Sequence, residues 1–436
     1  MKETKILLTI SLLVSNRIDT IRNCMESLRP LLEQLPCELI AVDTVGEENS
    51  DGSLAIVKEY ATKIVHFDWC NDFAAARNAG LTAAAGEWFL SLDDDEWFEN
   101  VTPLVEFFSS EEYLNYDRAS YAVRNYTDMS GTKYEISYRF GVQRLFPESR
   151  YVGKIHEHIV PVGNREKALS VYAHHYGYVY KTEEDRRAHA ERNIVLIKKE
   201  LEENPTDLRM QVQLLLEYKA SDDLEEEKKW CESIVSNYQG DVRDSLFQYA
   251  LIDLIRVTRD IDREEGKKVL EWVEERFSLA PINVLYCGLE HMNISICENN
   301  WDQVIEYTPR YLSLQQQLSR KQYFFSEYND IVSKEKEQLV VLEGIKAMLQ
   351  AGRFEAAESL FDVVDWLNTN SKPFEQMELL LKVYAVTENG KLLFEHANKI
   401  IKNKKLIPVF QAMINTFVSQ HPDKVDGMRE HLAGEF

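Results

Sequence analysis

The sequence predicts an α/β domain built on an open, mostly parallel sheet, followed by an all-α domain of helical repeats. Three observations predict it. Up to about residue 180, short apolar runs alternate with amphipathic stretches, the strand–helix rhythm of a sheet covered by helices on both faces. Beyond about residue 183 the strand signals fade and helical stretches follow one another. The 436 residues are enough for two separate cores. The expected domains are 1–182 and 183–436.

The elements follow in order. Ile6 to Val14 is an almost unbroken apolar run, as expected of a strand buried on both faces. Ser15-Asn16-Arg17 ends it, and Ile21, Cys24, Leu28 and Leu31 then take up helical spacing. Glu38–Asp43 reads as a second strand that closes on a carboxylate, and Asn49-Ser50-Asp51-Gly52-Ser53 is turn chemistry opening a helix. Ile64–Phe67 is a third strand and Glu87–Leu92 a fourth, running into Asp93-Asp94-Asp95-Glu96. Ligands of such sheets bind at the carboxyl ends of the strands, where Asp43 and Asp93–Asp95 fall. In the second half, breaks are expected near Asp222-Asp223, Asp260-Ile261, Asn299-Asn300, Gly352 and Asn389. The clearest unit is Leu349–Phe361. Gly352 permits a tight turn there, Ala356 and Ala357 let two helices approach, and Phe361 fills the gap. This unit resembles the tetratricopeptide repeat.

Fifty Lys and Arg against 73 Asp and Glu leave a net charge of −23. So acidic a chain is a poor non-specific binder of nucleic acid or of anionic membrane. A phosphate-bearing ligand must then be met by a local basic site or a metal ion. No apolar run approaches the roughly 18–20 residues of a membrane span. The first apolar run lacks a basic leader and a cleavage site, so it reads as a strand and not a signal peptide. Six cysteines lie scattered without C-x-x-C pairing, a reduced, cytoplasmic pattern that argues against structural zinc.

Two carboxylates two residues apart at a strand end can share a hard cation such as Mg²⁺ or Mn²⁺, completed by substrate phosphates and water. Asp93–Glu96 is open to that reading and to the plainer one of a solvated helix start. Its company decides. Val14-Ser15-Asn16-Arg17, Val42-Asp43-Thr44 with Ser50-Asp51-Gly52-Ser53, Trp69–Gly80 with its Ala76-Arg77-Asn78, and Gly86–Glu96 follow in that order. Together they resemble the inverting nucleotide-sugar glycosyltransferases of family 2, which have the GT-A fold with its Rossmann-like mixed sheet. The resemblance covers roughly residues 5–180.

The resemblance implies roles. Asp43 looks like the carboxylate that accepts from the uracil imide of a UDP-sugar, and Ser15, Asn16 and Arg17 look like the edge of the nucleoside pocket. Arg77 looks like the residue that holds the pocket shut or counters the phosphates. Asp93 looks like the ribose-side carboxylate and Asp95 like the principal metal ligand; Asp94 leaves the register open by one position. Glu157, within Ile155-His156-Glu157-His158, looks like the general base of the acceptor-side loop. Read as a strand, this segment puts His156 and His158 on one face and Glu157 on the other. Either histidine is then a candidate further metal ligand, and the choice of Glu157 or a histidine as base stays open. His174-His175 lies nearby in sequence.

The reading that results is a metal-dependent inverting glycosyltransferase. Repeat domains offer a concave groove for a peptide. The combination resembles the enzymes that glycosylate bacteriocin precursor peptides on Cys or Ser, so a peptide or protein acceptor is expected. A polysaccharide or other glycan acceptor is the alternative. A homodimer through the helical domain is a further expectation. The reading of another class is a non-catalytic interaction scaffold with a degenerate front domain.

Overall fold

The structure is a computed structural model that describes residues 5–128, 130–180, 182–321, 323, 325–365, 373–402 and 404–426. Strand β1 (Leu8–Val14) is buried at every position, as its apolar run requires. It lies between two parallel neighbours, β2 (Cys37–Asp43) and β4 (Trp88–Asp93), and β3 (Lys63–His66) pairs in parallel beyond β2. Helices α1 (Ile21–Gln34), α2 (Ser53–Lys58) and α3 (Phe73–Ala83) make the crossovers. The chain leaves β1 on one side for β2 and β3, then returns to its other side for β4. The ends of β1 and β4 thus form a topological switch point, where such sheets hold ligands. A Cβ at Gly80 would collide with Ser11 Oγ on β1, so the glycine lets α3 sit tightly on the sheet.

The second half of the sheet mixes antiparallel and parallel pairs. After β5 (Glu96–Phe98) and α4 (Thr102–Ser109) come β6 (Arg118–Tyr126) and β7 (Tyr134–Arg144). A small ladder of β8 (Arg150–Val152) and β9 (His158–Val160) precedes β10 (Glu166–His175). The eight-stranded order is β3-β2-β1-β4-β7-β6-β10-β5, the mixed sheet expected of the first domain. β7 pairs with β6 from Gln143 to Tyr134, but β4 covers only Val142–Arg144. The front half of β7 therefore overhangs β4, and Tyr134, Ile136 and Tyr138, on one face of it, are exposed. Under the sheet, buried Trp88 takes the ring edges of Phe107 and Phe108 at centroid distances of 5.6 and 5.7 Å.

One expectation fails here. Residues 154–156 form a bend and Glu157 is irregular, so only His158 is in a strand. Gly153 and His156 both hold left-handed backbones, with φ of 91° and 53°. The chain turns sharply between β8 and β9, so the alternation of His156, Glu157 and His158 along one strand does not occur.

The change from strand to helix falls between His175 and Glu183, close to where the sequence places it. Packing continues past it, because the first of two compact units runs from Met1 to Trp230 and the second from Cys231 to Phe436. Helix α5 (Glu183–Glu203) starts with a reciprocal cap between Thr182 and Asp185, and α6 (Leu208–Ser221) follows. Their Leu196, Ile197, Leu201, Met210 and Leu214 form one buried cluster with Ile155 of the β8–β9 turn.

Helix α7 (Leu224–Asn237) contains the dividing point. The second unit continues as α8 (Ser245–Ile261), α9 (Arg263–Arg276), α10 (Pro281–Cys297), α11 (Trp301–Leu318), α12 (Ser326–Ile331), α13 (Lys334–Gln350), α14 (Phe354–Leu360), α15 (Pro373–Thr387), α16 (Gly390–Lys402) and α17 (Ile407–Gln420). Three of the five expected breaks hold left-handed residues, with φ of 60° at Asp222, 55° at Asn299 and 71° at Gly352; near Asn389 the left-handed residue is Glu388, and α8 runs through Asp260-Ile261 to an extended cap at Asp262. Ala357 and Phe361 are fully buried in the core that joins α13 to α17. Among the described residues, no helix is long and apolar enough to cross a membrane.

A chain ended at residue 182 exposes the apolar surface around Ile155, whereas one ended at residue 230 keeps it covered. The first is expected to aggregate and the second to stay soluble with cooperative thermal unfolding. Light scattering and circular dichroism of the two fragments check this.

Candidate active site

The site collects at the carboxyl ends of β1, β2 and β4. It begins with α3, which Asp72 caps by accepting from Ala75 N at 2.8 Å. One turn further on, Arg77 points into the sheet and is 4% exposed. Its Nη1 donates to Leu92 O at 3.0 Å, its Nε to Glu157 Oε1 at 3.0 Å, and its Nη2 to Asp93 Oδ1. One guanidinium thus ties the end of β4, the carboxylate of its last residue and the β8–β9 turn together. Burial opposes the charge on Arg77, and Asp93 and Glu157 more than offset it.

Asp94 turns the other way, to the end of β1. Its Oδ2 accepts from Ser15 N at 2.5 Å and Ser15 Oγ at 2.9 Å, which latches the two strands at the switch point. Asp95 meets Arg17 Nη2 at 3.3 Å and His175 Nε2 at 3.6 Å. Fully buried Glu96 accepts from Arg139 Nη1 at 2.6 Å. Four adjacent carboxyls resist ionising together. Burial raises Asp94, Asp95 and Glu96, with Asp94 pushed up to about 7. Asp93 is held down at about 2: its burial opposes this, but Arg77 and Arg139 outweigh it.

The loop after β1 is stitched to the β2–α2 loop. Asn16 donates to Asn49 O at 3.1 Å and accepts from Asp51 N at 2.9 Å, while Arg17 N donates to Ser53 Oγ at 3.0 Å. Asp43 sits at the far end of this edge. Its Oδ1 accepts from Val45 N and Gly46 N at 3.1 and 2.9 Å, and its Oδ2 lies 3.3 Å from His66 Nδ1. Burial pushes Asp43 up, but these partners leave it lowered, and Asp43 raises His66 in turn. Asp43, His66, Gly46, Leu54 and Ile64 line a cavity of about 410 Å³.

The structure therefore gathers Ser15, Arg17, Arg77, Asp93, Asp94, Asp95 and Glu157 around one centre, with Asn16 in the supporting loop and Asp43 at the edge. It does not gather the four-ligand set of Asp93, Asp95, His156 and His158. Among the described residues, no three His, Cys, Asp or Glu side chains converge on a metal position. His156 and His158 are exposed on the β8–β9 turn and strand. The histidine that does reach Asp95 is His175, at the end of β10. Its Nδ1 lies 2.8 Å from Asn125 Oδ1 and its Nε2 3.6 Å from Asp95 Oδ1. Asp95 and His175 are thus two donors with mixed oxygen and nitrogen character, and they fit a divalent cation that draws its other ligands from phosphate and water. Sequence reasoning did not single out His175 because only the strand register brings it here; the adjacent His174 instead stacks on Tyr126 and packs at a tilt against Trp97.

Replacing Arg77 by alanine strands two carboxylates. The cost expected for breaking such a buried pair is about 3–5 kcal/mol. Arg77→Lys should recover only part of it, since one ammonium cannot span three acceptors on different elements. Urea unfolding of the two variants measures both.

Residues 9–163 match the family model described as Glycosyl transferase family 2. A TPR repeat-containing protein of Synechococcus elongatus is 35% identical over 88 residues, 20% of this chain and 20% of that protein. An uncharacterized glycosyltransferase of Bacillus subtilis, YwdF, is 25% identical over 133 residues, 30% of this chain and 47% of that protein. The chain thus spans less than half the length of these curated relatives. Among solved structures, residues 1–349 of TarS from S. aureus, in complex with UDP-GlcNAc, align over 73% of this chain and 93% of that one at 14% identity. Their TM-score of 0.29 is too low to bear on the site. Asp43, Arg77, Asp93–Glu96 and Glu157 all lie within the segment that matches the glycosyltransferase family 2 model.

Proposed function

We propose that the protein is a metal-dependent inverting glycosyltransferase that moves a sugar from a UDP-sugar to an acceptor, with residues 1–182 as the catalytic domain and 183–436 as the helical domain. The observation that carries this reading is the single guanidinium of Arg77. It holds a candidate base, Glu157, and a carboxylate of the cluster, Asp93, in fixed relation at the switch point of the sheet. Inverting transfer needs such an arrangement: a base beside the acceptor, and counter-charge beside the leaving diphosphate.

In this reading Asp43 accepts from the uracil imide, and the loop of Ser15, Asn16 and Arg17 borders the nucleoside. A divalent cation held at Asp95 and His175 would supply the positive charge that the departing diphosphate requires. Arg77 fixes Glu157 through Oε1. Glu157 takes the proton of the acceptor hydroxyl or thiol as the new bond to the anomeric carbon forms and the bond to the diphosphate oxygen breaks. Because Arg77 is buried and bonded to three protein acceptors, its part is to position Asp93 and Glu157.

A peptide acceptor bearing Cys or Ser, as in bacteriocin precursors, is supported by the helical unit. A cavity of about 810 Å³ there is lined by Gln315, Gln316, Lys321, Asn329, Ser333 and Lys334 among others, groups that bond to a peptide backbone. A glycan acceptor is the second reading. The exposed Tyr134, Tyr138 and Tyr172 favour it, because flat aromatic faces stack on sugar rings. Intact-mass spectrometry after incubation with UDP-sugars and with peptide and glycan acceptors separates the two.

Glu157→Gln is expected to lower transfer by roughly 10²–10⁴-fold while UDP still binds. A thiol acceptor should lose less than a hydroxyl one, because a thiol of pKa ~8.5 ionises readily. Asp95→Ala and EDTA should each abolish transfer, with Mn²⁺ restoring only the EDTA-treated enzyme. Normal transfer by Glu157→Gln would remove Glu157 as the base.

A further inference from the structure

The sheet leaves half of one strand without a partner, and it does so beside the site. Strand β7 pairs with β6 from Gln143 back to Tyr134, but β4 meets it only at Val142–Arg144. Among the described residues, no backbone group pairs with residues 134–139 on the side away from β6. Residues 134–138 are exposed in succession, on both faces of the strand. The empty place lies in line with β4, beyond its last residue, Asp93.

Side chains tie this edge to the site. Arg139, at its inner end, has Nη1 2.6 Å from Glu96 Oε2 and 3.9 Å from Asp93 Oδ2. Ser137 Oγ accepts from Asn125 Nδ2 at 2.9 Å, Asn125 Oδ1 lies 2.8 Å from His175 Nδ1, and His175 Nε2 lies 3.6 Å from Asp95 Oδ1. Glu135, Ser137 and Arg139 therefore share the face that looks toward the carboxylate cluster. The other face carries Tyr134, Ile136 and Tyr138. Tyr134 packs against Tyr126 on β6 with ring centroids 5.5 Å apart, and Tyr138 is 73% exposed.

An extended polypeptide matches such an edge. It offers amide donors and acceptors at the spacing of a strand, which sugar rings do not. Charge opposes a second copy of this chain in the same place, since each copy carries −23 and exposes Glu135 on the edge itself. The same charge favours a peptide with Lys or Arg opposite Glu135 and apolar residues opposite Tyr134, Ile136 and Tyr138. We infer that the free edge of β7 docks the acceptor as an added strand, an extended peptide of alternating apolar and basic residues, and so leads its hydroxyl or thiol to the end of β4. The inference rests on the peptide-acceptor reading above and gives that acceptor a place on the sheet.

The test is fluorescence anisotropy of the full chain with labelled peptides of about eight residues that alternate Val or Tyr with Lys and carry Ser at one end. An added strand pairs along one of its two edges. N-methylation of every second amide is thus expected to weaken binding by roughly 10–100-fold on the pairing edge, the weight of several net hydrogen bonds, and by less than about twofold on the other. Tyr138→Lys should weaken the unmethylated peptides by about 3–10-fold, through a lost cross-strand pair and charge repulsion. The inference is overturned if the wild type binds none of the peptides, or if N-methylation of either edge costs the same. It is also overturned if sedimentation shows a dimer that Tyr138→Lys splits, because the occupant is then a second copy. Binding of glycans in place of the peptides, lost in Tyr138→Lys, overturns it as well. Edge-specific binding with no sugar transferred to any of the peptides would keep the docking edge and overturn instead the peptide-acceptor reading.

Discussion

The arrangement of this site depends on one buried cation. Arg77 reaches a backbone carbonyl of β4, the carboxylate that follows it and the turn that carries Glu157. Without it, Glu157 would lose its guanidinium partner and Asp93 would keep only the more distant Arg139, at 3.9 Å. Its position is in turn set by backbone geometry. Asp72 starts α3 where it must start, and Gly80 lets the helix lie close on β1 and β2. The placement of a charge one turn into a helix that opens on three alanines is thus a packing result before it is a chemical one.

The same economy shows at the switch point. Asp94 spends its charge on the backbone and hydroxyl of Ser15, which ties the two strands that flank the crevice. Asp93 is committed to Arg77. That leaves Asp95, itself buried, between Arg17 and His175. Three consecutive aspartates thus take three different sets of partners, a division that repeated identical residues conceal in the sequence.

Much of this was legible beforehand, for physical reasons. β1 to β4 announced themselves because strands buried on both faces must be continuously apolar, and their ends were marked by carboxylates. The helical breaks at Asp222, Asn299 and Gly352 were legible because few residue types tolerate a left-handed backbone. The β8–β9 turn was not legible. Its histidines suggested alternation, but Gly153 and His156 bend the chain, and nothing local told strand from turn. His175 was hidden for a different reason. Its importance comes from lying opposite Asn125 in the register of β6 and β10, a pairing between residues 50 apart in the chain. The helices α5 and α6 read as the start of a second domain by periodicity alone, since periodicity does not reveal against what an apolar stripe will pack.

The overhang of β7 has a consequence for how the molecule behaves in company. Among the described residues, no strand hydrogen-bonds to residues 134–140 on the side away from β6. Its donors and acceptors are therefore left for water or for a neighbour, and Tyr134, Ile136 and Tyr138 make the strand β-prone. Edges of this kind are natural templates for edge-to-edge pairing, and proteins blunt them with charge. Here Glu135 and Arg139 interrupt the aromatic residues, and the strong negative charge of the whole chain keeps copies apart. Colloidal stability should thus be a property of ionic strength and pH: in high salt, or at a pH near charge neutrality, the repulsion that guards this edge is screened or lost, and the protein's solubility goes with it.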